Sequence, residues 1–99
     1  MIIDFSHTDP KTLKVRRHRI AVQMSLLGGC DVVSTWWWQP PHSGGQRRDA
    51  YEHCDSFEQA ERVAIKLTKR RLRSGYKLLS HEGIPEEVFT APRSRTQSA

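Results

Sequence analysis

The pattern of apolar and polar positions in the first third of the chain predicts a β-hairpin. In residues 19–26 apolar side chains recur at every second position, which is the period of a half-buried strand; they are Ile20, Val22, Met24 and Leu26. The pair Gly28-Gly29 then favours a tight turn, because glycine tolerates positive φ angles. Residues 31–39 are rich in β-branched and aromatic side chains and predict the returning strand.

A third strand is predicted after a loop. Residues 40–45 contain two prolines and two glycines, which is typical of a loop. Residues 46–54 then predict a weaker strand near the sheet edge, which completes an antiparallel meander. Shorter or irregular segments are expected elsewhere: candidate strands at 2–5 and 76–79, irregular chain at 6–17, and disorder from Ala91 onward.

A long amphipathic helix is predicted over residues 56–74. Asp55 or Ser56 can serve as its N-cap, with Glu58 at capping-box spacing from Asp55, and Gly75 suits the position just beyond its end. Its apolar stripe recurs at helical spacing and consists of Phe57, Ala60, Ala64 and Leu67. We expect this stripe to face the sheet at Ile20, Val22, Met24 and Val33.

The predicted fold class is therefore α+β. A small antiparallel sheet of three to four strands carries one long amphipathic helix on one face. The domain is expected at residues 18–80. A partly irregular segment at 1–17 precedes it, and a tail at 81–99, largely disordered at its end, follows it.

Composition narrows the classes of function. The 99 residues include 16 Lys/Arg and 11 Asp/Glu, a net charge of +5, which favours polyanionic partners. No apolar run is long enough to span a membrane, and the N-terminus lacks the basic and apolar regions of a signal peptide. Two cysteines are too few for a disulfide scaffold. These features predict a cytoplasmic protein without a membrane partner.

Residue spacing argues against metal, cofactor and catalytic sites. The cysteines and histidines form no Cys-x-x-Cys or His-x-x-x-His pair. His53 and Cys54 are adjacent in a predicted strand, so their side chains point to opposite faces and do not form a nucleophile–base pair. The glycine pairs lack the spacing of a phosphate-binding loop. We therefore expect no cofactor, no metal and no enzymatic activity.

The positive charge is concentrated in two stretches, residues 11–19 and 62–77, which contain no acid. At 100° per residue, four of these cations fall in one narrow sector opposite the apolar stripe of the helix. They are Arg62, Lys66, Lys69 and Arg73, the basic row of this article. The basic row is either a solvated outer face or a phosphate-binding surface.

Three consecutive tryptophans, Trp36 to Trp38, end the second strand of the hairpin. They cannot all face one side of a strand, because side chains alternate between its faces. We expect one of them in the core and one at a functional surface, where an indole is able to stack on a nucleobase.

The order of these elements resembles the WGR domain, a family found in small bacterial proteins and in DNA-dependent poly(ADP-ribose) polymerases. The resemblance covers residues 19–76, over half of the chain. The matching residues are Gln23, Leu27-Gly28-Gly29, Val33, Trp36, Gly45-Gln46, Phe57, Ala60, Lys69 to Arg71 and Ser74-Gly75-Tyr76. The resemblance implies a WGR-like α+β fold and a DNA-contacting role for the motif tryptophan.

The chain departs from the family at the Trp-Gly-Arg motif itself. Trp36 matches the first position, but Trp37 and Trp38 stand where the family has glycine and arginine. In the polymerases the tryptophan and the arginine of the motif contact DNA, so only Trp36 is carried over. The missing arginine removes a donor to phosphate or base, whereas the two additional indoles supply stacking area.

Two functions from different classes remain. The first is a non-enzymatic module that binds nucleic acid, DNA in particular, by stacking tryptophans and phosphate-contacting cations; its residues are Trp36, Trp38, Arg47, Arg48, Arg62, Lys66, Lys69 and Arg73. The second is a protein-interaction or homodimerisation domain, with an apolar patch made by the tryptophans and the proline-rich loop. If the indoles and the basic row lie on one surface, the first function is favoured. If they lie on opposite surfaces, the second function is favoured.

Overall fold

An antiparallel sheet carries one helix on one of its faces. The computed structural model describes residues 1–39, 47–86 and 88–89. Its elements are β1 (Ile2–Thr8), β2 (Val15–Met24), β3 (Cys30–Gln39), β4 (Arg48–Cys54), α1 (Phe57–Arg73) and β5 (Lys77–Glu82). The strands are ordered β4-β3-β2-β1-β5 in the sheet. The α+β class is confirmed, and the described residues contain five strands where three to four were expected.

The additional strands lie at the N-terminal end and after the helix. β1 runs to Thr8 and pairs along its whole length with β2, which begins at Val15 and not at Arg19. Arg16 and Arg17 therefore belong to a strand and not to irregular chain, because β1 supplies the backbone hydrogen-bonding partners. Lys11 and Lys14 lie in the connection before β2. β5 pairs with the other side of β1. The expected loop at 40–45 and the tail from Ala91 lie outside the described residues.

The glycine pair makes the turn between β2 and β3, as expected. Gly28 and Gly29 have φ angles of +93° and +72°, which L side chains adopt only at a cost. A Cβ atom at Gly29 would also overlap the carbonyl oxygen of Cys54, whereas one at Gly28 would meet no atom within 4 Å. Gly29 therefore permits β4 and the chain after it to pass close to the hairpin, while Gly28 serves the turn alone.

The helix begins and ends where the sequence predicts. Ser56 is the N-cap, and its hydroxyl accepts a hydrogen bond from the backbone N–H of Gln59 at 3.2 Å. The Gln59 side chain in turn accepts from the N–H of Asp55 at 2.9 Å. The capping side chains are therefore Ser56, which accepts from Gln59, and Gln59, which accepts from Asp55; Glu58 takes no part. Gln59 is chosen because it occupies the third helical position after the actual cap.

A Schellman motif ends the helix and fixes where the chain goes next. Gly75 has a φ of +95°, and the N–H of Tyr76 donates to the carbonyl of Arg71 at 3.1 Å. The N–H of Gly75 donates to the carbonyl of Leu72 at 3.2 Å. This pair of bonds turns the backbone sharply at the helix end. Tyr76 is thereby returned beside Arg71, with consequences for the site below.

The core lies between α1 and the helix side of the sheet. Ala60, Ala64 and Thr68 are the buried residues of α1, and their small side chains let the helix approach the strands. The sheet contributes the largest buried apolar side chains, which are Ile3, Phe5, Ile20 and Val32. After β5, Ile84 and Val88 also join the core, so packed residues extend past residue 80.

Three expected core positions are wrong. Phe57 is 47% exposed because it is the first helical residue and lies at the margin of the packed layer, and Met24 is 86% exposed at the hairpin end of β2. Val33 is opposite Ala21 and Tyr51 in the sheet, one position out of step with the buried Val32. Its side chain therefore lies on the face that α1 does not cover.

Candidate functional site

Strand alternation separates the three tryptophans. Trp36 lies opposite His18 and Trp38 opposite Arg16, on the side of the sheet that carries α1. Trp37 lies on the other side. None of the three is fully buried, so the expectation of a core tryptophan is wrong. The core position beneath Trp36 is filled by His18, which is 1% exposed.

A groove runs along the helix side of β3, between α1 and β4. Every residue of β4 except Cys54 is exposed, since the helix lies over the central strands and leaves the edge strand uncovered. Trp36 lines the whole groove and divides it into two ends. The outer end, about 410 Å³, is lined mainly by Arg16, Trp36, Arg48, Arg71 and Tyr76, with Trp38 at its rim. The inner end is lined by His18, Val32, Ser34, Trp36, Ala50, Tyr51, Glu52, Leu67 and Arg71.

Three arginines converge on the outer end from three different elements. Arg16 comes from β2, Arg48 from β4 and Arg71 from α1. Among the described residues no carboxylate lies within ion-pair distance of any of them. Among the described residues, Asp49 is the one acidic residue that lines this end, and it pairs with Arg47 at 3.6 Å. The outer end is therefore positively charged, and its guanidinium groups have hydrogen-bond donors to offer an anion.

Aromatic rings hold two of these guanidinium groups in place. The Arg16 guanidinium carbon lies 5.7 Å from the centre of the Trp38 ring, and that of Arg71 lies 5.8 Å from the Tyr76 ring. Both distances are within the range of a cation–π contact. The second contact follows directly from the Schellman motif, which places Tyr76 beside Arg71. Arginines held by rings lose less conformational entropy when they bind a ligand.

A stack of aromatic side chains supports Trp36 from below. The rings of Trp36 and His18 are stacked with centres 4.6 Å apart and planes 17° apart. His18 in turn contacts Phe5 and Tyr76, each with ring centres 6.0 Å away. The Trp36 indole is therefore seated on a packed layer and held at a fixed height in the groove. A rigid, partly exposed indole suits stacking on a planar ligand.

The buried imidazole of His18 is neutral at physiological pH. The pKa of its imidazole is lowered from 6.5 to about 4, chiefly by removal from water and in addition by the neighbouring cations Arg71 and Arg16. Neither ring nitrogen has a hydrogen-bond partner among the described residues. The ring therefore packs as an aromatic group and leaves one N–H donor and one acceptor unused.

On the uncovered face of the sheet two carboxylates are paired within the sheet. Asp4 accepts two hydrogen bonds from Arg19, at 2.8 and 3.2 Å, and Asp31 lies 2.9 Å from His53. On the same face Arg17 donates to Gln39 at 2.7 Å, and its guanidinium lies 5.5 Å from the Trp37 ring. Among the described residues, Arg19 therefore has a carboxylate partner on this face, whereas Arg17 has none.

The structure brings together only part of the predicted site. Trp36, Trp38 and Arg48 meet at the outer end of the groove. Arg47 is exposed and pairs with Asp49. The basic row, Arg62, Lys66, Lys69 and Arg73, is exposed on the outside of α1 and does not line the groove. Trp36, Trp38 and the basic row thus share one side of the sheet without forming one surface.

Sequence reasoning missed Arg16, His18, Arg71 and Tyr76. A signal for Arg16 and His18 was present, since both continue the alternation of Ile20 and Val22 toward the N-terminus. For Arg71 and Tyr76 the signal was Gly75, because a Schellman motif brings the residue after the glycine back to the third residue from the helix end.

Other kinds of site receive no support within the described ranges. These residues contain no group of three or more His, Cys, Asp or Glu side chains placed to hold a metal ion. The helix they include is neither long enough nor apolar enough to cross a bilayer. Comparison of the chain with protein-family models, with curated proteins and with solved structures finds no match in any of the three.

Proposed function

We propose that this chain is a non-enzymatic, WGR-like module that binds nucleic acid, DNA in particular, through the groove between α1 and β4. The observation that carries the proposal is the meeting of three arginines without carboxylate partners around a supported, partly exposed indole. Arginine binds phosphate in a bidentate manner, and an indole stacks on any base. Contacts of this type position the nucleic acid without reading its sequence.

Arg16 in the groove takes the place of the arginine that the family motif would supply. Trp38 occupies the motif's third position, but the guanidinium of Arg16 lies over its ring from the neighbouring strand. A cation is thus present beside the motif although the motif itself has none. The basic row on the outside of α1 adds long-range attraction to the same polyanion.

The proposal is tested by measuring the affinity of a fluorescent 20-base-pair DNA duplex as the salt concentration rises. We expect a dissociation constant well below millimolar at 50 mM salt and a log–log slope that reflects several phosphate contacts. The double variant R16Q/R48Q removes two charges from the groove, and R62Q/K66Q removes two from the basic row. We expect the first to weaken binding at least about ten-fold, and the second by no more than about three-fold.

The opposite outcomes would contradict the proposal. Millimolar affinity, or an affinity that does not fall with salt, excludes the function. A larger loss in R62Q/K66Q than in R16Q/R48Q would move the site to the outside of α1. Because both variants carry the same net charge, a general electrostatic effect would weaken them equally.

A second candidate function is self-association through the uncovered sheet face. The specific observation in its favour is that this face pairs Asp4 with Arg19 and Asp31 with His53 and keeps Trp37 partly exposed, as expected of a surface that contacts protein. Sedimentation velocity at rising concentration tests it. A dimer that V33R disrupts, because the substitution places a cation at a partly exposed position of this face, would support the candidate. A monomer at 500 µM would exclude it.

A further inference from the structure

The inner end of the groove differs in chemistry from the outer end. It has a volume of about 200 Å³, which is small compared with the cavities that hold drug-sized ligands. Apolar surface comes from Val32, Ala50 and Leu67, and one side of the space is formed by Trp36. The carboxylate of Glu52 also lines it and opposes the entry of a phosphate. A flat, uncharged group fits this end better than an anion does.

Unused hydrogen-bonding groups lie at the floor of this space. His18, 1% exposed, lines it, and neither of its ring nitrogens has a partner among the described residues. The Nε atom of Arg71 is likewise buried without a partner among them. Buried polar atoms in folded proteins almost always have hydrogen-bond partners, because a buried donor or acceptor without a hydrogen bond lowers the stability of the fold. Two neighbouring side chains that line this space therefore have polar atoms to offer a polar ligand.

We propose that the inner end of the groove holds one unpaired nucleobase, flanked by Trp36, while the adjoining phosphates lie at the outer end. The inference rests on the proposed function. A nucleobase is flat, carries both donors and acceptors at its edge, and has no charge for Glu52 to repel. Neutral His18 offers one donor and one acceptor, Glu52 an acceptor and Arg71 a donor. Arg71 lines both ends, so base and phosphate are held by adjoining groups.

The first experiment compares two single strands of equal length and charge. One is a twelve-residue oligothymidylate, and the other is the same backbone with every base replaced by an abasic tetrahydrofuran unit. We expect the oligothymidylate to bind at least about five-fold more tightly, which is the lower end of what one stacked base contributes. Equal affinities would overturn the nucleobase site but leave the phosphate-binding function standing. If neither strand binds in a salt-dependent manner, the proposed function and this inference are overturned together.

A substitution that fills the inner end provides the second test. Ala50 is exposed on the edge strand and lines both ends of the groove, so A50F narrows the inner end without adding volume to the core. Because the ring also borders the phosphate-binding end, the measure is the ratio of the two affinities, and we expect A50F to bind the two strands equally. The control Q23F adds the same ring at an exposed position on the opposite face, and we expect it to keep the five-fold preference. If amide spectra show that A50F is unfolded, A50L carries the same expectation.

Two results would overturn the assignment at this stage. One is an undiminished preference for oligothymidylate in folded A50F. The other is that a polyglutamate peptide of matched charge competes for the wild type as strongly as oligothymidylate does, and that A50F abolishes this competition. The second result would assign the inner end to an acidic protein partner.

Discussion

His18 and Trp36 form a face-to-face stack with ring centres 4.6 Å apart, in which the imidazole is buried and the indole partly exposed. The two residues are directly opposite each other on β2 and β3. The sheet register therefore builds a fixed platform in the groove from one core residue and one surface residue. The stability of the fold and the geometry of the proposed site thus depend on the same pair.

The buried imidazole makes stability depend on pH. The pKa of His18 is about 4 in the folded chain against 6.5 when exposed, chiefly because of burial and then because of Arg71 and Arg16. Between these values the unfolded chain binds a proton that the folded chain does not, so stability rises with pH. We expect neutral His18 to make its full contribution to the free energy of unfolding above pH 6.5. As the pH falls to 4, we expect the free energy of unfolding to decrease by an amount on the order of 3 kcal/mol.

Urea unfolding of the wild type and H18F between pH 4 and 7 measures this effect. Phenylalanine keeps the stack and cannot be protonated, so the difference in unfolding free energy between the two proteins should shift in favour of H18F as the pH falls. A difference that is constant over this range would show that His18 is accessible to protons in the folded chain.

The two turn glycines should differ in their tolerance of a side chain. G28A introduces only the strain of a positive φ, about 1–2 kcal/mol. G29A adds an overlap with the carbonyl of Cys54, so we expect it to cost at least about 2 kcal/mol more than G28A. Thermal or urea unfolding of both variants provides the comparison. Equal losses would mean that β4 does not pass as close to the hairpin as described.

The ion pair Asp4–Arg19 should contribute more to the stability of the fold than its partly exposed position suggests. Asp4 is 7% exposed, and the described residues offer it only Arg19 and a long contact of 3.4 Å with Ser80. R19A leaves the carboxylate buried with little compensation, so we expect a loss of about 1–3 kcal/mol. Adding D4A to R19A should recover part of it, whereas R62A on the outer helix surface should cost less than about 0.5 kcal/mol. Additive losses in the double variant would show that the pair is not coupled.

Local signals predicted the helix and the hairpin, because each depends on residues that are neighbours in the chain. Ser56, Gly75 and Gly29 specify caps and a turn regardless of what packs against them. β1 and the start of β2 were not predicted in full, since their polar residues are strand-forming only when paired with each other. Strand content in such segments depends on distant partners.

The candidate site shows the same division. Trp36, Trp38 and Arg48 were found because clusters of tryptophan and arginine stand out in the sequence. Arg16 and Arg71 belong to basic stretches in which the sequence does not distinguish one cation from another. Only the folded structure shows that these two line the groove. Arg16 is selected by its register with Trp38, and Arg71 by the turn at Gly75. The basic row was predicted as a surface and is one, but it lies outside the groove.

The indole N–H signals of the three tryptophans, followed by NMR while a DNA duplex with a single-stranded overhang is added, test the central claim most directly. Trp36 and Trp38 lie on the helix side of β3, whereas Trp37 lies on the opposite side and reaches the groove only at the rim that it shares with Trp38. We expect the Trp36 and Trp38 signals to move together and to saturate, with a smaller shift of the Trp37 signal. Movement of Trp37 alone, or of none of the three, would contradict nucleic-acid binding in this groove.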